Sequence, residues 1–238
     1  MGVLDMLAEK DCYICKGAGG WSEKHMTELG EYDFWFTCSC VDRAKSMHRI
    51  KKSGLSGQIE RFRFENFITE HDFQKNIFML AGRFLATGLN RWFVALGKTG
   101  AGKTHICTAI CGKLLEKGLS VAYVRWAVEL KKLKMSAGKE EYWEILDDLL
   151  VNDVIYIDDL FKRGKGAMPT DADVRIAFEI IDTAAAQGKM LIISGEDMLE
   201  TLIDIDEAIA GRIKQKAGEF LVQIKGEGKN YRLMEEFL

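Results

Sequence analysis

The chain has 238 residues, 47% of them apolar and 29% charged, enough to bury a sizeable core in one main domain with room for a small second one. A net charge of −3 rules out a wholesale polycation, so any nucleic-acid contact must come from a local basic patch. No apolar run approaches membrane-spanning length, and Met1 to Lys10 carries Asp5 and Glu9 with no signal-peptide core. Met6 also stands where a myristoylation signal wants Ser or Thr. The expectation is therefore a cytoplasmic protein without a membrane partner, in a compartment where paired cysteines are more often metal ligands than disulfides.

Residues 1–10 can form a short amphipathic helix with Val3, Leu4 and Leu7 on one side. Cys12 and Cys15 follow, two residues apart, ahead of a run of glycines that suits the tight turn of a metal knuckle. A second pair, Cys38 and Cys40, comes after 22 intervening residues that include Trp21, Tyr32, Phe34, Trp35 and Phe36. Four thiolates suit tetrahedral Zn²⁺, and a segment this small needs such a staple to fold. The other reading is free buried cysteines, and His25 is either a substitute ligand or a surface residue. Residues 41–52 make a basic helix with Arg43, Lys45, Arg49, Lys51 and Lys52, which either contacts nucleic acid or an acidic partner or is a solvated face. Ser53-Gly54 ends it. Phe62, Phe64 and Phe67 close a linker and read as an anchor onto the next domain more than as a base-stacking set. These features divide the chain into an N-terminal unit (1–55), a linker (56–70) and a core (71–238).

The core opens with a helix over about 71–87, then an apolar strand, Trp92 to Leu96. Directly after it runs Gly97-Lys98-Thr99-Gly100-Ala101-Gly102-Lys103-Thr104, a complete G-x-x-x-x-G-K-[ST] match, and then a helix from His105 to Lys117 ended by Gly118. Strand, glycine loop and helix in this order bind nucleotide phosphates. The glycines turn backbone N–H groups onto phosphate oxygens, Lys103 reaches the β- and γ-phosphates of ATP, and the Thr104 hydroxyl is a Mg²⁺ ligand. Residues 97–105 are thus the expected nucleotide-binding set. Cys107 and Cys111 on the same helix read as core residues. Val121 to Val124 is a second strand, with helices at about 126–135 and 139–150. The second of these carries an apolar stripe of Tyr142, Ile145, Leu146 and Leu149 expected to face the sheet. Val154-Ile155-Tyr156-Ile157-Asp158-Asp159 is a continuous apolar strand ending in two acids, as a central parallel strand with ligand groups at its C-terminal end should be. Asp158 is expected to hold Mg²⁺ and Asp159 to polarise the attacking water, with the short Asp making hydrolysis slow. A basic loop with Lys162, Arg163 and Lys165 then projects beside the phosphates or toward DNA. Thr170 caps a helix with Asp173 three residues on, as far as Gln187. Met190 to Ser194 is another buried strand, with the polar pair Gly195-Glu196 placed to sense the γ-phosphate. A helix with Asp206, Ile209, Arg212 and Ile213 precedes a last strand, Phe220 to Ile224. The alternation gives an α/β fold with a mostly parallel sheet.

Taken together, these motifs resemble the bacterial and phage helicase loaders of the DnaC/DnaI type, a branch of the AAA+ ATPases. The resemblance rests on the cysteine pairs ahead of the Ser-Gly linker, Phe64-Glu65-Asn66-Phe67, the phosphate loop, Ile157-Asp158-Asp159-Leu160, Ile192-Ile193-Ser194-Gly195-Glu196, Gly211-Arg212-Ile213 and the ending Asn230-Tyr231-Arg232. It implies an AAA+ P-loop core without a separate lid domain, preceded by a zinc-binding domain that docks on the replicative hexameric helicase. It implies a core that binds single-stranded DNA, self-associates and hydrolyses ATP, weakly when alone. Glu196 falls at the sensor position, where many relatives carry Asn, and Arg212 at that of the arginine finger, acting in trans on a neighbouring subunit. Asp182-Thr183-Ala184-Ala185 departs from the Asn-x-Arg-Tyr stretch many relatives carry. Two other functions share the core: an ATPase helper of transposition of the IstB kind, and a non-hydrolysing adaptor switched by ATP.

Overall fold

The apolar runs read as strands alternate between two buried faces, which is why they carry no polar side. The computed structural model describes residues 10–27, 30–53, 56–87, 90–164 and 167–225, without the side chains of 46, 49–53 and 56. Nearly all of the expected helix at 1–10, the side chains of Arg49, Lys51 and Lys52, and Gly54, Lys165 and Asn230-Tyr231-Arg232 lie outside the described residues.

Five strands form the main sheet: β3 (Phe93–Gly97), β4 (Val121–Arg125), β5 (Val154–Leu160), β6 (Met190–Gly195) and β7 (Leu221–Ile224). Their order is β4-β5-β6-β3-β7 and every pairing is parallel. The helices between them are α4 (Lys103–Glu116), α5 (Trp126–Met135), α6 (Glu140–Leu150), α7 (Asp171–Ala186), α8 (Leu199–Ile205) and α9 (Glu207–Ala217), with α3 (Asp72–Thr87) ahead of β3. Phe93, Ala95, Val154, Tyr156, Met190 and Ile192 point to the layer built by α3 and α4. Val94, Leu96, Ile155, Ile157, Leu191 and Ile193 point to the layer of α5 to α9. This period of two inside continuous apolar strands is the mark of a sheet covered on both sides.

Thr170 and Asp173 form the expected reciprocal cap at the start of α7. The stripe on α6 is at least partly buried in that second layer, where the helix lies along α7. The helix carrying Arg212 is α9, begun by Asp206, whose side chain accepts from the Ile209 N–H at 2.8 Å. A separate short helix, α8, precedes it, and Asp206 breaks the two apart.

Ahead of the core, β1 (Gly20–Thr27) and β2 (Gly30–Thr37) pair as an antiparallel hairpin. One face sets Trp21 opposite Phe36, Glu23 opposite Phe34 and His25 opposite Tyr32, and these side chains are exposed. α1 (Ser39–Ser53) follows and runs beside β4. The segment expected as a linker is structured. α2 (Ser56–Arg61) lies on α4, and a 3-10 turn at Phe64–Asn66 places the Phe64 and Phe67 rings 5.5 and 6.0 Å from the Phe78 ring. The aromatic trio is therefore an anchor onto the core.

Candidate functional site

The phosphate loop leaves the C-terminal end of β3 at Gly97, whose φ is +137° and where an added Cβ would lie 2.6 Å from the Ile224 carbonyl oxygen. Only glycine lets the chain turn there. Gly102 caps α4 with φ +82°, and the Phe67 ring stands 3.0 Å from where its Cβ would be. The loop thus opens α4, and Thr99, Gly100, Gly102, Lys103 and Thr104 line a cavity of about 740 Å³. Lys103, 5% exposed, folds back so that Nζ donates to the carbonyls of Gly97 at 2.6 Å and Lys98 at 2.8 Å. Burial pulls its pKa below the usual lysine range, and the carboxylates of Asp159 and Glu196 partly offset this.

The acid pair arrives on β5, separated from β3 by β6. Asp158, at the end of β5, accepts four hydroxyl hydrogen bonds. Thr104 donates to Oδ1 at 3.0 Å, Tyr156 at 2.9 Å and Ser194 at 2.6 Å, and Tyr123 donates to Oδ2 at 2.8 Å. Burial pushes both phenols far up, with Asp158 adding to it, so they stay donors. A carboxylate and the loop threonine brought together this way are a hard-oxygen pair that could hold Mg²⁺. Asp159 has a positive φ of 58° and donates its own N–H to Ser194 Oγ at 2.9 Å. Burial and the neighbouring Asp158 raise its pKa, against the pull of Lys162 and Lys103.

Of the residues expected at the site, Thr99, Gly100, Gly102, Lys103, Thr104, His105, Asp159 and Glu196 line this cavity and Asp158 adjoins it through Thr104, whereas Gly97, Lys98 and Ala101 are not among its lining residues. Glu196, just past β6, accepts from the Thr99 hydroxyl and from Lys162 Nζ. Lys162 lines the cavity with Lys103, Thr104 and Asp159. Arg163 is tied instead into a two-pronged pair with Asp197 at 2.6 and 3.1 Å. His105 donates from Nε2 to the Arg63 carbonyl at 2.9 Å and stacks on Phe62 at 4.9 Å. Phe67, Ile68, Gln74 and Arg61 line the same cavity with these rings. Arg212 does not line it. It pairs with Asp182 on α7 and lies 5.6 Å over the Phe178 ring. Tyr123, Tyr156 and Ser194 were not anticipated, although a polar group inside a doubly buried strand always needs a partner.

Cys12, Cys15, Cys38 and Cys40 bring their sulfurs within 4.8 Å of one another, all buried. Cys12 and Cys38 are 3.7 Å apart at Sγ, and Cys15 and Cys40 3.5 Å. A tetrahedral Zn²⁺ with sulfurs at about 2.3 Å needs edges of about 3.8 Å, so the four fit zinc. Backbone N–H groups at Cys15 and Ile14 draw the Cys12 thiol down to about 7. Cys107 and Cys111 are fully buried in the core and pushed up by burial. Among the described residues, no helix is long and apolar enough to cross a membrane.

The family model described as IstB-like ATP binding protein matches residues 25–235. The uncharacterised protein YqaM of Bacillus subtilis (strain 168) is 30% identical over 96% of this chain and 75% of its own. The replicative helicase loader DnaC of Escherichia coli (strain K12) is 31% identical over 50% of this chain and 51% of its own, so that likeness reaches about half of either. Solved structures of DnaI and of the DnaC helicase loader superpose with TM-scores of 0.56 and 0.54 at 22% and 19% identity. They cover 72% and 70% of this chain and 92% and 97% of theirs, and at such identities they show the AAA+ fold alone. The phosphate loop, the acid-ended strand and these likenesses agree, and the chain belongs to the family of IstB-like ATP binding proteins.

Proposed function

We propose that the chain is an ATPase that loads a replicative hexameric DNA helicase onto single-stranded DNA during the initiation of replication. The observation that carries this reading is the cavity lined by Lys103 and Thr104 from α4 and Asp159 from β5, with Asp158 beside it accepting from Thr104. It is joined by the likeness to a helicase loader over half of the chain. In this reading Lys103 and the loop N–H groups hold the β- and γ-phosphates, and the rings of Phe62 and Phe67 border the base. Thr104 and Asp158 would hold Mg²⁺, which neutralises phosphate charge. Asp159 takes a proton from water as the water oxygen bonds to the γ-phosphorus and the bond to the bridging oxygen of ADP breaks. Its raised pKa makes it a better base than an ordinary aspartate. Arg212 acts on the site of a neighbouring copy and must leave Asp182 to do so. Residues 1–55 form the helicase-docking unit, stapled by Zn²⁺ on the four cysteines, and the protein works in the cytoplasm.

The test is co-elution of the full chain with the replicative helicase of its host, with ATP and with ADP, alongside ATP turnover on single-stranded DNA. Co-elution of the wild type, lost on replacing Tyr32 and Phe34 by Ala, supports the loader and its docking hairpin. Turnover on DNA without any helicase binding would move the reading to an ATPase helper of transposition of the IstB kind.

A further inference from the structure

The strand that delivers the acid pair ends in an unusual way. Register between β5 and β6 shifts between Ile157 and Leu160, and Asp159 and Phe161 both adopt left-handed φ, at 58° and 57°. Residues with a Cβ avoid that region, and two so close together persist only where the surroundings enforce them. They are enforced here. Asp159 N–H is held by Ser194, the Lys162 N–H closes a turn onto the Asp159 carbonyl at 2.8 Å, and Phe161 is buried edge-on against Trp126 at 5.5 Å. On the far side Arg163 forks onto Asp197 and donates to the Phe161 carbonyl at 2.8 Å. The outcome is that Lys162, flanked by two locked residues, sends its ammonium into the cavity that holds Lys103 and Asp159. There Glu196 accepts both its proton and that of Thr99, a residue of the phosphate loop itself. Burial works to raise the Glu196 pKa, but these two donors outweigh it and leave the carboxyl below its ordinary range. A solvated ion pair needs none of this framework.

Charge gives the framework a purpose. A carboxylate at position 196 stands beside the phosphate end of the cavity, where it opposes a triphosphate unless a cation accompanies it. In the nucleotide reading above Lys103 holds the β- and γ-phosphates, and Asp159 and Glu196 line the same cavity with it, which puts the terminal phosphate on their side. Resting on the nucleotide reading above, we propose that Lys162 is a second phosphate-binding lysine: its ammonium contacts the terminal phosphate of a bound nucleoside triphosphate, and Glu196 and Thr99 position it. The site then tells triphosphate from diphosphate with a cation supplied by its own chain, apart from any arginine of a neighbour.

The experiment is calorimetric titration of the full chain with ATP and with ADP, each with Mg²⁺. Lys162→Met weakens ATP binding by about tenfold, the size of one charge-assisted contact, and leaves ADP binding within about twofold. ADP thereby serves as the check on folding. Lys162→Arg keeps most of the ATP affinity. The double variant Lys162→Met/Glu196→Gln remains weak for ATP, because removing the carboxylate does not replace the contact. Equal losses for both nucleotides, or no loss for ATP, overturn the proposal. So does a double variant that regains wild-type discrimination, since Lys162 would then only neutralise Glu196. A wild-type chain that binds neither nucleotide overturns the nucleotide-site reading and this proposal with it.

Discussion

Tyr156→Phe isolates the cradle around Asp158. The ring is fully buried and packs 5.2 Å from the Tyr123 ring, so the substitution keeps the volume and removes one hydroxyl. That hydroxyl donates to Asp158 Oδ1 at 2.9 Å, and Thr104 and Ser194 donate to the same atom. The carboxylate therefore keeps three of four donors and is not stranded. The cost is one buried hydrogen bond to a carboxylate, about 2 kcal/mol. In a chain of this length that is a fall in Tm of about 4–8 °C. Thermal unfolding followed by circular dichroism, with a urea titration to obtain ΔG, measures it. The partner is checked by repeating the substitution in an Asp158→Asn chain. There the acceptor is neutral and the cost shrinks by about 1 kcal/mol. A Tm within about 1 °C of the wild type, or the same cost with and without the Asp158 carboxylate, refutes the four-donor description.

Asp159→Asn acts on stability in the opposite sense. The raised pKa of Asp159 means that its folded form holds the proton more tightly than the unfolded chain. Its contribution is present below the unfolded value and is lost as pH rises through the folded one. The Asn chain escapes that loss, so its Tm exceeds the wild type at neutral pH and the gap closes below about pH 4, while ATP turnover disappears. A gap that is constant with pH contradicts the assignment. Zinc analysis of the purified chain gives about one ion per chain, and a strong chelator changes the near-ultraviolet signal of Trp21 and Trp35 without moving the unfolding of the core. Retention of the signal after metal removal argues for a plain thiol cluster. In the wild type, ATP turnover per chain rises with protein concentration, whereas Arg212→Ala flattens that rise and leaves nucleotide affinity unchanged; a flat wild-type profile removes the trans role.

The phosphate loop and the acid-ended strand were legible because their chemistry is local in sequence. Eight contiguous residues set the loop, and a run of four apolar residues followed by Asp158-Asp159 sets the strand. What surrounds them was not legible, because it depends on register between distant strands. Tyr123, Tyr156 and Ser194 meet on Asp158 only once β4, β5 and β6 are side by side. The partnership of Lys162 with Glu196 joins two loops 34 residues apart. The departure at Asp182 was visible, but that its carboxylate takes Arg212 required α7 and α9 to be packed together. The hairpin had a readable signal in Tyr32, Phe34 and Phe36 alternating with Glu31 and Asp33, a period of two that composition alone obscured. Ser53-Gly54 suggested the start of a linker, yet Ile59, Phe64 and Phe67 join the core layer of α4, and packing outweighed local propensity.

Helix α4 has a consequence of its own. Its first turn carries Lys103 and Thr104, and its flank is covered by Ile59 from α2 and by Met47 from α1. Whatever grips the N-terminal segments therefore handles the same rod that ends at the phosphates. Thermodynamic reciprocity then applies: if ATP tightens the hold on a docked protein by some factor, that protein must tighten the hold on ATP by the same factor. The cycle can be read from either end, and an unlabelled partner could be ranked solely by how far it shifts a nucleotide titration.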